Sequence, residues 1–330
     1  MELSNKPVLS VKNLSTSFYL RDGEVKAVDG VSFRIDKGEV LALVGESGSG
    51  KTVTALSILR LIQSPPGKIK SGTVELDGDD IFNLSKNEMR KARGVGISMI
   101  LQEPMSSLNP SMVIGAQIME AVTINQGLKG ASAKKKAIEM LDMVRIPSPE
   151  KRFYNYPHEL SGGMKQRIMI AIALSCRPKL LIADEPTCSL DVTIQAQVLQ
   201  LMKQLRQEID TTVMFITSDL GIVAEMADRV AIMYAGQLIE IIDVQKLFEA
   251  PAHPYTSGIM ASILDLKKGG VLNTISGEPP NLMHLPPGCK FHLRCEHCQE
   301  ICKTSEPSYS DLTGDGSHWI RCHFPLNRAG

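Results

Sequence analysis

The chain has no surplus of charge of either sign: 36 Lys and Arg stand against 36 Asp and Glu over 330 residues. A surface that coats nucleic acid needs a basic excess to displace counterions, so no nucleic-acid partner is expected. No charge-free apolar run approaches the roughly 18 residues that would suggest a membrane span, and the N-terminus shows no signal peptide. A spanning or secreted protein is therefore not expected. Internal repeats and low-complexity tracts are also lacking, which sets aside solenoids and disordered arrays. What remains is ample apolar content, 43%, enough for one large and one small domain.

Residues Gly45-Glu46-Ser47-Gly48-Ser49-Gly50-Lys51-Thr52 fit the pattern G-x-x-x-x-G-K-S/T, between an apolar strand pattern (Val40 to Val44) and an apolar-periodic helix (Val53 to Leu61). Gly45, Gly48 and Gly50 let backbone N–H groups curl around phosphates without Cβ clashes, with Ser47 and Ser49 between them. The helix that starts near Gly50 points its positive end at the same place. Lys51 would reach the β- and γ-phosphates, and the Thr52 hydroxyl would ligate Mg²⁺. A plain Gly-Ser turn is the competing reading, weakened by the strand before and the helix after.

Leu180-Leu181-Ile182-Ala183-Asp184-Glu185 is a continuous apolar run ending in two carboxylates, the pattern of a buried parallel strand delivering charge at its C-terminal end. Asp184 would hold Mg²⁺ through water, and Glu185 would orient or deprotonate an attacking water. Just upstream lies Leu160-Ser161-Gly162-Gly163-Met164, followed by Lys165-Gln166-Arg167 and an apolar helix pattern.

With these three motifs the chain resembles the nucleotide-binding subunits of ATP-binding cassette (ABC) transporters. The resemblance implies an α/β fold. A P-loop cassette with a mixed sheet, a parallel core and an antiparallel β flank would carry an inserted helical subdomain at about 103–170. It places Ser161, Gly162 and Gly163 on the γ-phosphate of ATP held by an opposite subunit, so two cassettes would sandwich the nucleotide. Gln102, ending the strand pattern Gly96 to Leu101, takes the place of the glutamine that senses Mg²⁺ and attacking water. Ser189-Leu190-Asp191 corresponds to a loop that crosses the dimer interface. Phe18, or failing that Tyr19, would stack on adenine, a contact of about 1–3 kcal/mol; Phe18 also reads as a core aromatic of an early strand. The loop from Glu103 to Asn109, with Met105 and Leu108, would accept the membrane subunits, unless those side chains merely staple the loop.

One position departs from the family. After the strand Val213 to Thr217 the family has a histidine that contacts the γ-phosphate, where this chain has Ser218 before Asp219-Leu220. Serine donates one hydrogen bond but is shorter and cannot become a cation. Loss of one preorganised donor costs about 10²–10³ in rate, so binding with slow hydrolysis is expected.

Within 251–330 the composition turns irregular, with His253-Pro254-Tyr255, Gly277-Glu278-Pro279-Pro280-Asn281-Leu282 and Leu285-Pro286-Pro287-Gly288-Cys289. This tail resembles that of the ATPase subunits of bacterial dipeptide and oligopeptide permeases, a group that also includes nickel importers. The phosphate loop and signature resemble the D-type member of the two ATPases. The resemblance implies a cassette over 1–250 and an extension over 251–330. It also implies a second ATPase subunit, two transmembrane permease subunits, an extracytoplasmic peptide-binding protein indirectly, and a peripheral place at the cytoplasmic face of the membrane.

Five of the seven cysteines lie in that tail: Cys289, Cys295, Cys298, Cys302 and Cys322. Thiols concentrated in a cytoplasmic chain favour metal over disulfides. The family pattern matches Cys289, Cys295, Cys302 and Cys322, with Cys298 a spare or an alternative ligand. A 4Fe-4S cluster is preferred to zinc because paired C-x-x-C knuckles are absent. Free buried thiols remain the alternative. Cys176 and Cys188 read as small core residues, and His292, His297, His318 and His323 as ordinary surface histidines.

Overall fold

A computed structural model describes residues 6–102, 107–188, 190–268 and 275–326. Glu103, Met105 and Ser189, expected in loops that meet partners, lie outside the described residues. The strands in chain order are β1 (Leu9–Leu20), β2 (Gly23–Ile35), β3 (Val40–Val44), β4 (Gly67–Leu76), β5 (Asp79–Asp80), β6 (Ile97–Ile100), β7 (Leu180–Asp184), β8 (Thr212–Thr217), β9 (Arg229–Tyr234), β10 (Gln237–Asp243), β11 (Ser310–Asp311) and β12 (Trp319–Ile320). The chain is built as two compact units.

The first unit comprises Met1–Leu9, Arg34–Glu39 and Glu75–Ile216. In it β6 pairs with β7 and β7 with β8, all parallel, with Ile97 opposite Leu180 and Leu180 opposite Thr212. Every residue of β7 and β8 is buried, as their unbroken apolar runs require of strands covered on both faces. The helical subdomain contributes Ile114–Gln126 and Gly130–Met143, which pack on each other. Ile114, Ile118 and Val122 of the first, and Ala137, Met140 and Leu141 of the second, are the buried faces. Each large apolar side chain so covered contributes about 1.5–3 kcal/mol. Gly127, with φ of 70°, ends the first helix in the left-handed conformation that glycine adopts without strain. The loop entering this subdomain is pinned by the buried amide of Gln117, which accepts from Asn109 N–H (2.9 Å) and donates to the carbonyls of Asn109 and Met112 (both 3.0 Å). Leu108 is 2% exposed, so of its two readings the staple under the loop fits, not the partner contact.

The second unit comprises Ser10–Phe33, Val40–Val74 and Thr217–Gly330. Here β3 lies parallel to β9, and β9 turns back antiparallel into β10 through Ala235-Gly236. Both turn residues have positive φ, the two-residue geometry whose twist matches a hairpin. The extension then adds β12 antiparallel to β10, and β11 to β12. In the other sheet β1 lies between β2 and β4.

A buried carboxylate ties the extension down. Glu240 on β10 is fully buried and accepts from the N–H groups of Ala252 (2.8 Å) and His253 (3.1 Å), at the start of the helix Pro254–Lys268. His318 Nε2 lies 2.8 Å from it. Burial alone would raise the Glu240 carboxyl, but hydrogen bonds from His318, Thr256 and Ala252 outweigh it and hold the group low. His318 is thus a buried partner and not the surface histidine expected. Among the described residues no helix is long and apolar enough to cross a membrane.

Candidate nucleotide-binding site

In the second unit the phosphate loop runs from the end of β3 into the helix Lys51–Ile58. Two of its glycines are dictated by close approach. A Cβ on Gly45 would overlap the Met233 carbonyl oxygen, and one on Gly50, at φ 105°, would overlap that of Ala27. Gly48, at φ 76°, faces open space and is needed for its conformation alone. Lys51, 6% exposed, folds back so that Nζ donates to the carbonyls of Gly45 (2.7 Å) and Glu46 (3.0 Å), which closes the loop into a ring. Ser49 is buried, and among the described residues its Oγ has no hydrogen-bond partner. A buried hydroxyl left open beside a ring of backbone amides is a site that an oxyanion satisfies. Ser47 and Gly48 are exposed at the mouth, and Thr52 is half-buried on the first helical turn.

In the first unit β7 delivers Asp184, 1% exposed, and then Glu185. Glu185 has φ of 43°, a left-handed position that a glutamate occupies at a cost, held by its N–H donating to Ile216 O (2.9 Å). Gln102, just beyond β6, donates its amide to Glu185 Oε2 at 3.0 Å. The two residues that the sequence placed on an attacking water are therefore brought into one hydrogen bond, which fixes one carboxylate oxygen and leaves the other for a donor.

The signature also lies in the first unit. Ser161 is the N-cap of the helix Gly162–Leu174, its hydroxyl accepting from Met164 N–H at 3.4 Å. Ser161 and Gly162 are exposed, so this helix start faces outward. A Cβ on Gly163 would sit 2.7 Å from Ile194 Cγ2, so any larger residue there would push the Ile194 side chain aside. Asp191 caps the neighbouring helix Val192–Ile209, accepting from Ile194 N–H at 3.0 Å. Its visible role is therefore to fix the helix against which the signature packs.

The other expected contacts are placed as follows. Ser218 follows β8 and is exposed, and Asp219 beside it caps the helix Leu220–Met226 through the N–H groups of Gly221 (2.7 Å) and Ile222 (3.4 Å). Phe18 is half-buried, and its ring edge fills the space a Cβ on Gly67 would need. Tyr19 is 48% exposed.

Comparison with known proteins agrees with this geometry. A family model described as ABC transporter matches residues 28–188, and one described as oligopeptide/dipeptide transporter, C-terminal region, matches residues 239–302. The chain is 52% identical to the oligopeptide transport ATP-binding protein OppD of Bacillus subtilis (strain 168) over 95% of its own length and 88% of that protein's. It is 47% identical to the dipeptide transport ATP-binding protein DppD of the same organism, covering 98% and 96%. The chain belongs to the ABC transporter ATP-binding family. Among solved structures, the ABC cassette MJ0796, a dimer in a post-hydrolysis state bound to ADP and Pi, matches 72% of this chain and 98% of its own at a TM-score of 0.64 and 26% identity. ABC cassettes use ATP with Mg²⁺, and an oxygen donor such as the Thr52 hydroxyl on the first helical turn suits a hard cation.

The extension of this ABC chain departs from expectation at its cysteines. Among the described residues no group of three or more His, Cys, Asp or Glu converges to hold a metal ion, so a metal-bearing extension is not supported at that level. The thiols are gathered more loosely. Cys289, Cys295, Cys302 and Cys322 line one cavity, whereas Cys298 is not in its wall. Burial pushes the Cys295 thiol up to about 11 and that of Cys322 to about 12, with neighbouring thiols adding to both. His292, His297 and His323 also border the cavity. Cys176 is buried as expected, but Cys188 is half-buried beside Glu185, whose carbonyl accepts its N–H at 3.0 Å.

Sequence reasoning missed Arg294 and Tyr255. Both touch the phosphate loop: Arg294 pairs with Glu46, and Tyr255 Oη accepts the Glu46 N–H at 3.2 Å. The motifs H-P-Y-T and F-x-x-R-C contain them, but no local pattern couples a tail to a loop some two hundred residues earlier.

Proposed function

We propose that this chain is the ATP-hydrolysing subunit of an importer for dipeptides or oligopeptides, pairing with a second ATPase subunit beneath two membrane permease subunits. Residues 1–250 would be the cassette and 251–330 the extension. The observation that carries this reading is the coexistence, in one chain, of the cassette match and the peptide-transporter C-terminal match. Peptides are preferred to nickel because relatives alike over nearly the full chain are named for peptides. Its place would be peripheral, at the cytoplasmic face of the membrane.

In this reading the amides of 45–50, the Ser49 hydroxyl and Lys51 bind the phosphates, with Phe18 or Tyr19 on the adenine. Thr52, Asp184 and Gln102 would hold Mg²⁺, which supplies charge neutralisation on the phosphates when bound. Glu185, fixed by Gln102, orients water and accepts its proton. Ser161, Gly162 and Gly163 close on the partner's nucleotide, with Asp191 supporting that face. In a reconstituted transporter, ATP hydrolysis should rise with peptide-loaded binding protein and vanish in Lys51→Ala; hydrolysis indifferent to peptide would oppose the assignment.

Two finer readings rest on specific residues. Ser218 replaces an imidazole that would donate to the γ-phosphate, so this site turns over slowly while binding ATP normally. The substitution Ser218→His should raise single-turnover hydrolysis on the order of 10²-fold. For the thiols, Cys289, Cys295, Cys302 and Cys322 share the wall of one cavity, which supports a common ligand, and the 4Fe-4S cluster is preferred to zinc on sequence spacing, because paired C-x-x-C knuckles are absent. Anaerobically purified protein should carry iron and sulfide and absorb in the visible. Protein free of both would remove the cluster.

A further inference from the structure

We propose that Arg294 is a positioning residue for the phosphate loop, through which the cysteine-rich extension sets nucleotide affinity. The inference rests on the nucleotide reading above. Arg294 is 7% exposed at its side chain and grips Glu46 with both prongs: Nη1 to Oε2 at 3.0 Å and Nη2 to Oε1 at 3.2 Å. Its Nη1 also donates to Tyr234 Oη (3.3 Å) and its Nε to Ser276 O (3.2 Å), and the guanidinium lies 5.7 Å from the Tyr234 ring centre. This fork is anchored at its root, so it has one pose to offer.

Glu46 is the second residue of the loop, and it is held at three points. Its carboxylate takes Arg294, its N–H donates to Tyr255 Oη at 3.2 Å, and its carbonyl accepts Lys51 Nζ at 3.0 Å. Phe291, three residues before Arg294, packs edge-on against Tyr234 (5.3 Å between ring centres) and Tyr255 (5.4 Å), and also lines the thiol cavity. The extension thus forms the wall behind the loop.

Two consequences follow for binding. A loop with positive-φ glycines at 48 and 50 is entropically costly to order, and a brace that orders it beforehand raises affinity. The second is electrostatic. A carboxylate on the second residue of an anion-binding loop repels a triphosphate, and the buried guanidinium of Arg294 neutralises it.

The test is equilibrium ATP binding by the full chain, with thermal unfolding measured in parallel. Arg294→Gln should raise the Kd about tenfold, the loss of one charge-assisted pair. Adding Glu46→Gln should restore part of that affinity, because the uncompensated charge is gone while the brace stays lost; a merely structural defect would not be rescued at all. If Arg294→Gln does not fold, Arg294→Lys, which keeps the charge and loses the fork, should weaken binding about threefold. Wild-type affinity in the Arg294 variant that folds, or failure of Glu46→Gln to rescue Arg294→Gln, overturns the inference. Lys51→Ala separates the two levels: if it leaves ATP binding intact, the nucleotide reading itself fails.

Discussion

At the scale of single residues, the site is governed by atoms that leave no room for alternatives. Gly50 carries a positive φ and a carbonyl where a Cβ would sit, so Gly50→Ala should abolish ATP binding while costing a few kcal/mol of stability, measurable by nucleotide titration and chemical denaturation. Glu185 makes one hydrogen bond from Gln102, and the isosteric Glu185→Gln keeps the shape but loses the proton acceptor. Hydrolysis should then fall about 10²–10⁴-fold with ATP affinity unchanged, read as phosphate release against equilibrium binding. Gln102→Ala should lower hydrolysis less, since it removes only the group that orients the carboxylate. These residues were legible in the sequence because each chemistry has a fixed spacing. The helix cap made by Asp191 was not: whether a residue caps, packs or faces a partner depends on what the tertiary fold brings beside it.

At the scale of elements, legibility followed burial. Strands β3, β7 and β8 have no polar interruption and are buried throughout, so their continuous apolar runs identified them directly. The helix Val192–Ile209 buries Val198, Leu201 and Leu205 at helical spacing, while Ile194 meets the signature turn at Gly163. The extension's attachment was hidden, because Glu240, His253 and His318 are far apart in sequence and carry no shared pattern. That attachment has a pH signature. Burial holds His253 down to about 4, with the Glu240 carboxylate opposing, against about 6.5 for a free imidazole. Between these values the unfolded chain binds more protons than the folded one, so stability is complete above about pH 6.5 and declines as pH falls toward 4. Glu240, held low, adds loss in the same direction at lower pH. Thermal unfolding should show a lower Tm at pH 5 than at pH 7.5. His253→Asn, whose side-chain oxygen can still accept the Tyr255 N–H, should flatten that slope; an unaltered slope would place the sensitivity elsewhere.

At the scale of the whole molecule, the proposed sharing of a nucleotide would use two features of the chain: the loop ring at 45–52 and the exposed helix start at Ser161. In the function proposed, such a chain would bind ATP alone but hydrolyse it only when a second cassette supplies its signature. The most direct measurement is sedimentation of the Glu185→Gln chain with its partner ATPase, with and without MgATP. The account predicts a heterodimer that forms with MgATP and is lost in Lys51→Ala or when Ser161 is replaced by a bulky residue. A wild-type chain that stays monomeric with saturating MgATP and yet hydrolyses it at the full rate of the assembled transporter would contradict the account.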